Sequence, residues 1–254
     1  YFTKLVCGCP NGLGGLRALS GIPESQRHYL PLGDIFLQFY GLSNATDYYR
    51  ELDLSNAVAR IIFRVGDTIF KREIFISAPD QIMVVRLTAE GSLKLFFNAK
   101  LRRERNFEKV DAIDNNTIMM KDNCGGTGGS EFCAILRAFS KDGDIKIIGE
   151  HLIVENASEA TLMFSAGTTF RYKNLVEECL KFLTNAAQYS WEMLLERHIS
   201  DYTQLFNRVR LELYSDTNES NELLPTNERL ERLKCGYEDL GLIGLYFQFG
   251  RYLM

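Results

Sequence analysis

From Ile35 to Ala166 apolar residues recur at every second position or in short unbroken runs, and from Leu175 onward they recur every third or fourth position. The first spacing is that of a strand, the second that of a helix. VARIIFRV (Val58 to Val65) sets Ala59, Ile61, Phe63 and Val65 against Val58, Arg60, Ile62 and Arg64. Gly66-Asp67 then predicts a two-residue hairpin into TIFKREIFI. IMVVRL (Ile82 to Leu87) is almost unbroken apolar, as in a strand covered on both faces. LKLFFNAKL, TIMM, EFCAILRAF, DIKII, HLIV and TLMFSA continue the series, with turn chemistry at Lys141-Asp142-Gly143-Asp144 and at Glu155-Asn156. About ten strands with short links and no helical period among them predict an antiparallel β-sandwich, so the fold class is mainly β.

After Arg171 the spacing predicts a helical linker. Leu175, Cys179, Leu183 and Ala186 or Ala187 share one face, as do Trp191, Leu194, Leu195 and His198, followed by Tyr202, Leu205 and Phe206. A short strand-like VRLEL (Val209 to Leu213) and the polar SDTNESNE (Ser215 to Glu222) follow, the second reading as an exposed connection. Thr226 is then a plausible N-cap and Gly236 a C′ residue. Asp239 can cap a final helix whose apolar face is Leu242, Leu245, Tyr246, Phe249 and Leu253. That helix runs to Met254 without a C-cap, which predicts a chain cut inside a larger protein, with its apolar face awaiting a partner.

The balance of the sequence narrows the functional classes. At 254 residues and 46% hydrophobic the chain can bury a full core, and a net charge of −4 argues against a nucleic-acid surface. The tightest basic cluster, Arg102, Arg103 and Arg105, is broken by Glu104 and followed by Glu108, as on a solvated face. No stretch approaches the roughly 18 apolar residues that a membrane-spanning helix requires. Six cysteines (Cys7, Cys9, Cys124, Cys133, Cys179, Cys235) are too sparse for a disulfide scaffold, so reduced thiols and a cytoplasmic setting are favoured. Cys124 and Cys133 flank a Gly-rich loop and are the pair most open to bridging. Cys7-Gly8-Cys9 lacks a second Cys/His pair at zinc spacing, and His28, His151 and His198 stand apart, so no metal site is expected. Sequons at Asn44, Asn115, Asn156 and Asn218 matter only in a glycosylating compartment.

Several residues suggest chemistry, each with a plainer account. Asp34, Asp47, Asp53, Glu73 and Asp80 read as sitting at strand ends or turns, where carboxylates cap and form turns. GGTGG (Gly125 to Gly129) lacks the Lys-Ser/Thr of a P-loop and precedes a strand, so it reads as a hairpin loop. His198 and Asp201 fall on different sides of an amphipathic helix, which favours packing over acid–base work. YLPLGD (Tyr29 to Asp34) reads as a tight entry into the first strand.

LPTNERLERL (Leu224 to Leu233) followed by DLGLIGLYFQFGRYLM (Asp239 to Met254) resembles the segment that leads into the catalytic helical barrel of family 95 glycoside hydrolases. HYLPLGDIFLQF (His28 to Phe39), the run from Tyr48 to Glu90, SAGTTFRY (Ser165 to Tyr172) and HISDYTQLFNRVRLEL (His198 to Leu213) resemble the same family in the same order. Those enzymes are α-L-fucosidases and relatives acting on α-L-galactosides. The resemblance implies a bacterial N-terminal region: a super-sandwich over 1–172, a helical linker over 173–222, and the start of an (α/α)6 barrel over 223–254. It implies an inverting mechanism, which needs two carboxylates about 6.5–9.5 Å apart across the sugar ring. In the family both lie downstream of this chain, so catalytic, cofactor-binding and metal residues are expected to be none here. The expected partners are the remainder of the barrel, a fucosylated oligosaccharide, and, through the last helix, a second copy. The family also carries an upstream segment, which leaves a periplasmic or secreted setting open. Two rivals remain: a lectin-like sandwich, whose sign would be exposed aromatics on one sheet face, and the sandwich of a family 65-like phosphorylase.

Overall fold

The computed structural model describes residues 31–103, 109–123, 129–213 and 221–254. Several predicted features lie outside them: Cys7, Cys9, His28, Tyr29, Glu104, Arg105, Glu108, Cys124, the sequon at Asn218 and all of GGTGG except Gly129.

Twelve strands are described: β1 (Asp34–Phe39), β2 (Thr46–Asp53), β3 (Val58–Val65), β4 (Thr68–Ser77), β5 (Ile82–Glu90), β6 (Leu95–Arg102), β7 (Lys109–Asp114), β8 (Thr117–Asn123), β9 (Glu131–Ser140), β10 (Asp144–Ile148), β11 (His151–Ala157) and β12 (Glu159–Thr168). They form two antiparallel sheets, in the orders β1-β6-β11-β10 and β2-β3-β4-β5-β12-β9-β8-β7. The sandwich predicted from alternation is therefore present. Val65 pairs with Thr68 across Gly66-Asp67, and φ is +60° at Gly66 alone of the two, the pattern of a type II′ hairpin. At Glu155-Asn156 the predicted turn is absent. Asn156, with φ of 58°, instead makes a bulge between Val154 and Ala157 inside β11, just before the chain crosses to the other sheet.

The facing surfaces of the sheets bury Phe63, Phe70, Leu87, Phe97, Leu136, Leu152 and Leu162 among others. Four helices follow: α1 (Leu175–Ala186), α2 (Trp191–Phe206), α3 (Thr226–Lys234) and α4 (Leu240–Tyr252). A second core lies on the outer face of the larger sheet. There Val58, Phe75, Ile82, Val84, Cys133 and Ile135 meet Leu175, Cys179, Leu183, Ala186 and Leu194 of the first two helices. This explains the unbroken apolar run of β5, since Val85 and Leu87 face the sandwich interior while Ile82 and Val84 face α1 and α2. The strand-like VRLEL finds no strand partner, and 209–213 run as coil.

Candidate functional site

The five carboxylates singled out in the sequence are scattered. Asp34 is exposed at the start of β1. Asp47 meets Arg64 at 3.2 Å near the start of β2. Asp53 shapes the β2–β3 turn, accepting from Ser55 N at 2.9 Å and Asn56 Nδ2 at 2.8 Å. Its partial burial opposes ionisation, but the Ser55 hydrogen bonds and Arg60 prevail and hold its carboxyl below the ordinary aspartate value.

Glu73 corrects the expectation of a turn position. It lies in the middle of β4, 7% exposed, with Arg60 Nε at 3.4 Å and Lys71 Nζ at 3.0 Å. The strand register makes it one step in a charge ladder. Glu51 stands opposite Arg60, Arg60 opposite Glu73, and Glu73 opposite Arg86. Arg86 then grips Glu159 with both arms at 2.9 and 3.0 Å. Directly opposed opposite charges stabilise a sheet pair by roughly 0.2–1 kcal/mol each. A carboxylate clamped between cations on a covered sheet face has no access to a glycosidic oxygen, so Glu73 is a strut.

Asp80 is likewise occupied. Its side chain is 6% exposed, accepts from Ser77 Oγ at 2.6 Å, and pairs with Arg197 Nη2 at 2.9 Å, tying α2 to the β4–β5 turn. His198 stacks on Phe75 at 4.9 Å, and its Nε2 lies 2.9 Å from the Asn56 carbonyl, which can only accept, so Nε2 carries the proton. The Tyr202 hydroxyl donates to the Leu54 carbonyl at 2.6 Å, and burial pushes its pKa up to about 12, keeping it a donor at neutral pH. Among the described residues no hydrogen bond joins His198 to Asp201. Arg197 could not be read from the sequence as the partner of Asp80, because 117 positions separate them.

The last two helices are joined by a buried ion pair that sequence reasoning also missed. Asp239 caps α4, accepting from Leu242 N at 2.9 Å as predicted, and also receives Arg229 Nε and Nη2 at 2.8 Å each. Arg229 holds the Asp239 carboxyl below its usual range. Thr226 is the first helical residue of α3 and makes no cap. Gly236 has φ of 90° and donates to Leu233 O while Tyr237 donates to Arg232 O, closing α3 in a Schellman motif. Of the predicted apolar face of α4 only Leu242 is buried; Tyr246 and Leu253 are 76% and 67% exposed. α4 leans on the C-terminal end of α2, with Arg251 over the Phe206 ring at 4.9 Å and Tyr252 at 6.5 Å from Tyr202. Gly244 lets α4 pass close to the 209–213 coil, since a Cβ there would sit 3.3 Å from the Leu211 carbonyl.

A cleft of about 520 Å³ lies where β8 and β9 meet the start of α1, lined by Lys121, Asp122, Glu131, Lys173 and Glu177 among others. Its charges are of both signs and it contains none of the five carboxylates. Cys133, buried beside it, has Cys179 as its thiol neighbour; hydrogen bonding to Cys179, then burial, push the Cys133 thiol up. Cys133 and Cys179 are both free thiols, and Cys124 lies outside the described residues. Among the described residues no group of three His, Cys, Asp or Glu side chains is arranged to hold a metal.

Residues 17–173 match the sequence model of the glycosyl hydrolase family 65 N-terminal domain. Residues 190–254 match that of the glycosyl hydrolase family 95 catalytic domain, starting at the Ser190 cap of α2. Alpha-L-fucosidase 2 of Arabidopsis thaliana is 31% identical over 93% of this chain and 32% of its own length. A protein described as probable alpha-fucosidase A of Aspergillus niger is 28% identical over 96% of this chain and 32% of its own. The chain therefore spans about a third of the length of these curated relatives, which are plant and fungal and do not support the expected bacterial origin. A solved structure assigned as a kojibiose phosphorylase from human microbiome superposes with a TM-score of 0.50 at 14% identity, over 68% of this chain and 27% of its own. At that identity the likeness concerns the fold alone.

Proposed function

We propose, from the premise that this chain belongs to the glycosyl hydrolase family 65 N-terminal domain family through residues 17–173, that it is the non-catalytic sandwich and linker of a hydrolase cleaving α-L-fucosides or α-L-galactosides. The observation that carries this reading is the 31% identity to an α-L-fucosidase across 93% of the chain, together with the family 95 catalytic match that begins at residue 190. In this reading 1–172 are assigned to the sandwich domain, 173–222 to the linker and 223–254 to the start of an (α/α)6 barrel.

In this reading the chain holds the barrel in place and performs none of the chemistry. Inversion needs a protonated carboxylic acid and a separate carboxylate base with room for water between them. Asp53, Glu73 and Asp80 are instead each tied up by Ser, Arg or Lys side chains and lie apart from one another. The acid and the base then belong to the part of the relatives that this chain does not span.

The test is to incubate the purified chain with 4-nitrophenyl α-L-fucoside and with a 2-linked fucosyl oligosaccharide. No turnover above a buffer blank is expected. Turnover that survives repurification and is abolished by Asp80→Asn or Glu73→Gln would refute the assignment. The family 65 match supports a second reading, the sandwich of a phosphorylase. A longer polypeptide containing this chain would then require inorganic phosphate to cleave its substrate, whereas a hydrolase would not.

A further inference from the structure

The two outer faces of the sandwich differ. The larger sheet carries α1 and α2, while the outer face of β1-β6-β11-β10 is bare of described helices and exposes aromatic rings. Phe36 and Phe96 are 42% and 41% exposed, and Tyr40, next to the end of β1, is 38% exposed. Tyr40 and Phe96 lie 4.7 Å apart, tilted by 38°, and form a shallow platform. Such rings on a solvated sheet face leave apolar area wet, which a stable surface tolerates only in small patches or where a ligand covers it.

The polar groups beside the platform indicate which ligand. Gln38 pairs with Asn98 in the strand register, and Asn98 Nδ2 donates to the Tyr40 hydroxyl at 2.6 Å and to Gln38 Oε1 at 3.4 Å. That arrangement orders three neutral groups and leaves the Tyr40 proton, the Gln38 amide hydrogens and Asn98 Oδ1 for another partner. Two of the nearby cations are paired, Lys100 with Glu150 at 3.8 Å and Lys146 with Glu155 at 2.8 Å, while Arg102 rests over the Phe36 ring at 5.6 Å and keeps its charge at the edge. The centre, formed by Tyr40, Phe96, Gln38 and Asn98, is uncharged, so it complements an uncharged ligand.

We propose that this face binds a neutral oligosaccharide. Tyr40 and Phe96 supply the planes on which the C–H faces of sugar rings stack, and Gln38, Asn98 and the Tyr40 hydroxyl bond the sugar hydroxyls. Phe36 to Tyr40 spans about 13 Å along the strand direction, room for two or three pyranose rings. The site goes beyond the proposed hydrolase role, since it needs no part of the barrel and would hold carbohydrate on the opposite side of the sandwich from α1 and α2.

The test is an NMR titration of the isotopically labelled chain with 2′-fucosyllactose, with cellotetraose, and with a chondroitin sulfate tetrasaccharide as the charged control. Amide shifts confined to residues 36–40 and 96–98 are expected with a neutral probe. Tyr40→Ala and Phe96→Ala should each weaken binding by about fivefold or more, with circular dichroism confirming that the sandwich is intact, and Tyr40→Phe should retain most of it. Absence of shifts at these residues with both neutral probes, an unchanged Kd in Tyr40→Ala, or tighter binding of the sulfated probe overturns the proposal. A dimer that Tyr40→Ala dissolves also overturns it, assigning the face to a second copy. Failure here leaves the hydrolase reading standing, and turnover by the chain in the activity assay leaves this site untouched.

Discussion

Replacing Asp239 by Ala should melt the two C-terminal helices while leaving the sandwich folded. Asp239 does two jobs at once, capping α4 through Leu242 N and neutralising Arg229 in a two-armed pair whose side chains are 5% and 7% exposed. Loss of an N-cap costs about 1 kcal/mol, and leaving the partner of a buried ion pair uncompensated costs about 3–5 kcal/mol. The sum of roughly 4–6 kcal/mol corresponds to about three to four orders of magnitude in a local opening constant. Few contacts oppose this, since α4 reaches the rest of the chain through Arg251, which donates to the Val209 carbonyl, and through Tyr252 against Tyr202. Native-state hydrogen exchange read by mass spectrometry should show residues 226–252 losing protection while β5, β9 and β12 keep theirs. Restoring an apolar match with Arg229→Met and Asp239→Leu together should recover much of the loss, because two apolar partners leave no orphaned charge. A change below about tenfold in the exchange of 226–252 in Asp239→Ala would refute the reasoning. The pH dependence has a definite sign: Arg229 depresses the folded pKa of Asp239, so the pair contributes fully above the ordinary aspartate value of about 3.9. That contribution is lost as pH falls through the folded value, so α3 and α4 should come apart in acid.

Three further outcomes are expected. Deleting Leu240 to Met254 should leave the thermal unfolding of the sandwich within about 1 kcal/mol of the intact chain and lower any tendency to associate seen by sedimentation, because Tyr246 and Leu253 are mostly exposed; loss of the sandwich transition would show that α4 belongs to its core. In the native protein, alkylation followed by peptide mapping should label the exposed Cys235 and spare Cys133 and Cys179, which are fully buried; equal labelling of the three would contradict the second core. Phe97→Ala, at a fully buried site between the sheets, should cost about 3–5 kcal/mol in denaturant unfolding, and a loss under about 1 kcal/mol would mean that the cavity collapses or the core is elsewhere.

Alternation and helical spacing were enough to read most of the architecture, since each is a local consequence of burying one face of a strand or helix. The predicted linker face is a close example: of Leu175, Cys179, Leu183 and Ala186 or Ala187, the structure buries the first four. The two strands missing from the sequence reading are β2 (TDYYRELD) and β7 (KVDAID), the two edges of the eight-stranded sheet. An edge strand has a neighbour on one side only, and these two carry few buried side chains, so they leave little hydrophobic signal for sequence to show.

The candidate carboxylates show the same division. That Asp53 and Asp80 serve turns, and that Asp239 caps a helix, followed from residue type and local context, because such hydrogen bonds close within two or three residues. Whether a charged residue is spent on a distant partner depended on register and docking. Glu51, Arg60, Glu73 and Arg86 form a ladder only once four strands align, and Arg197 meets Asp80 only when α2 lies on the sheet. The aromatic face of β1 and β6 was equally hidden, since Phe36, Tyr40 and Phe96 become a platform only when the two strands pair and the helices cover the opposite sheet. The sequence by itself determined which residues turn inward, a matter of period along one chain. The tertiary structure decided which outward residues meet, because cross-strand and helix-to-sheet contacts join positions that no local spacing relates.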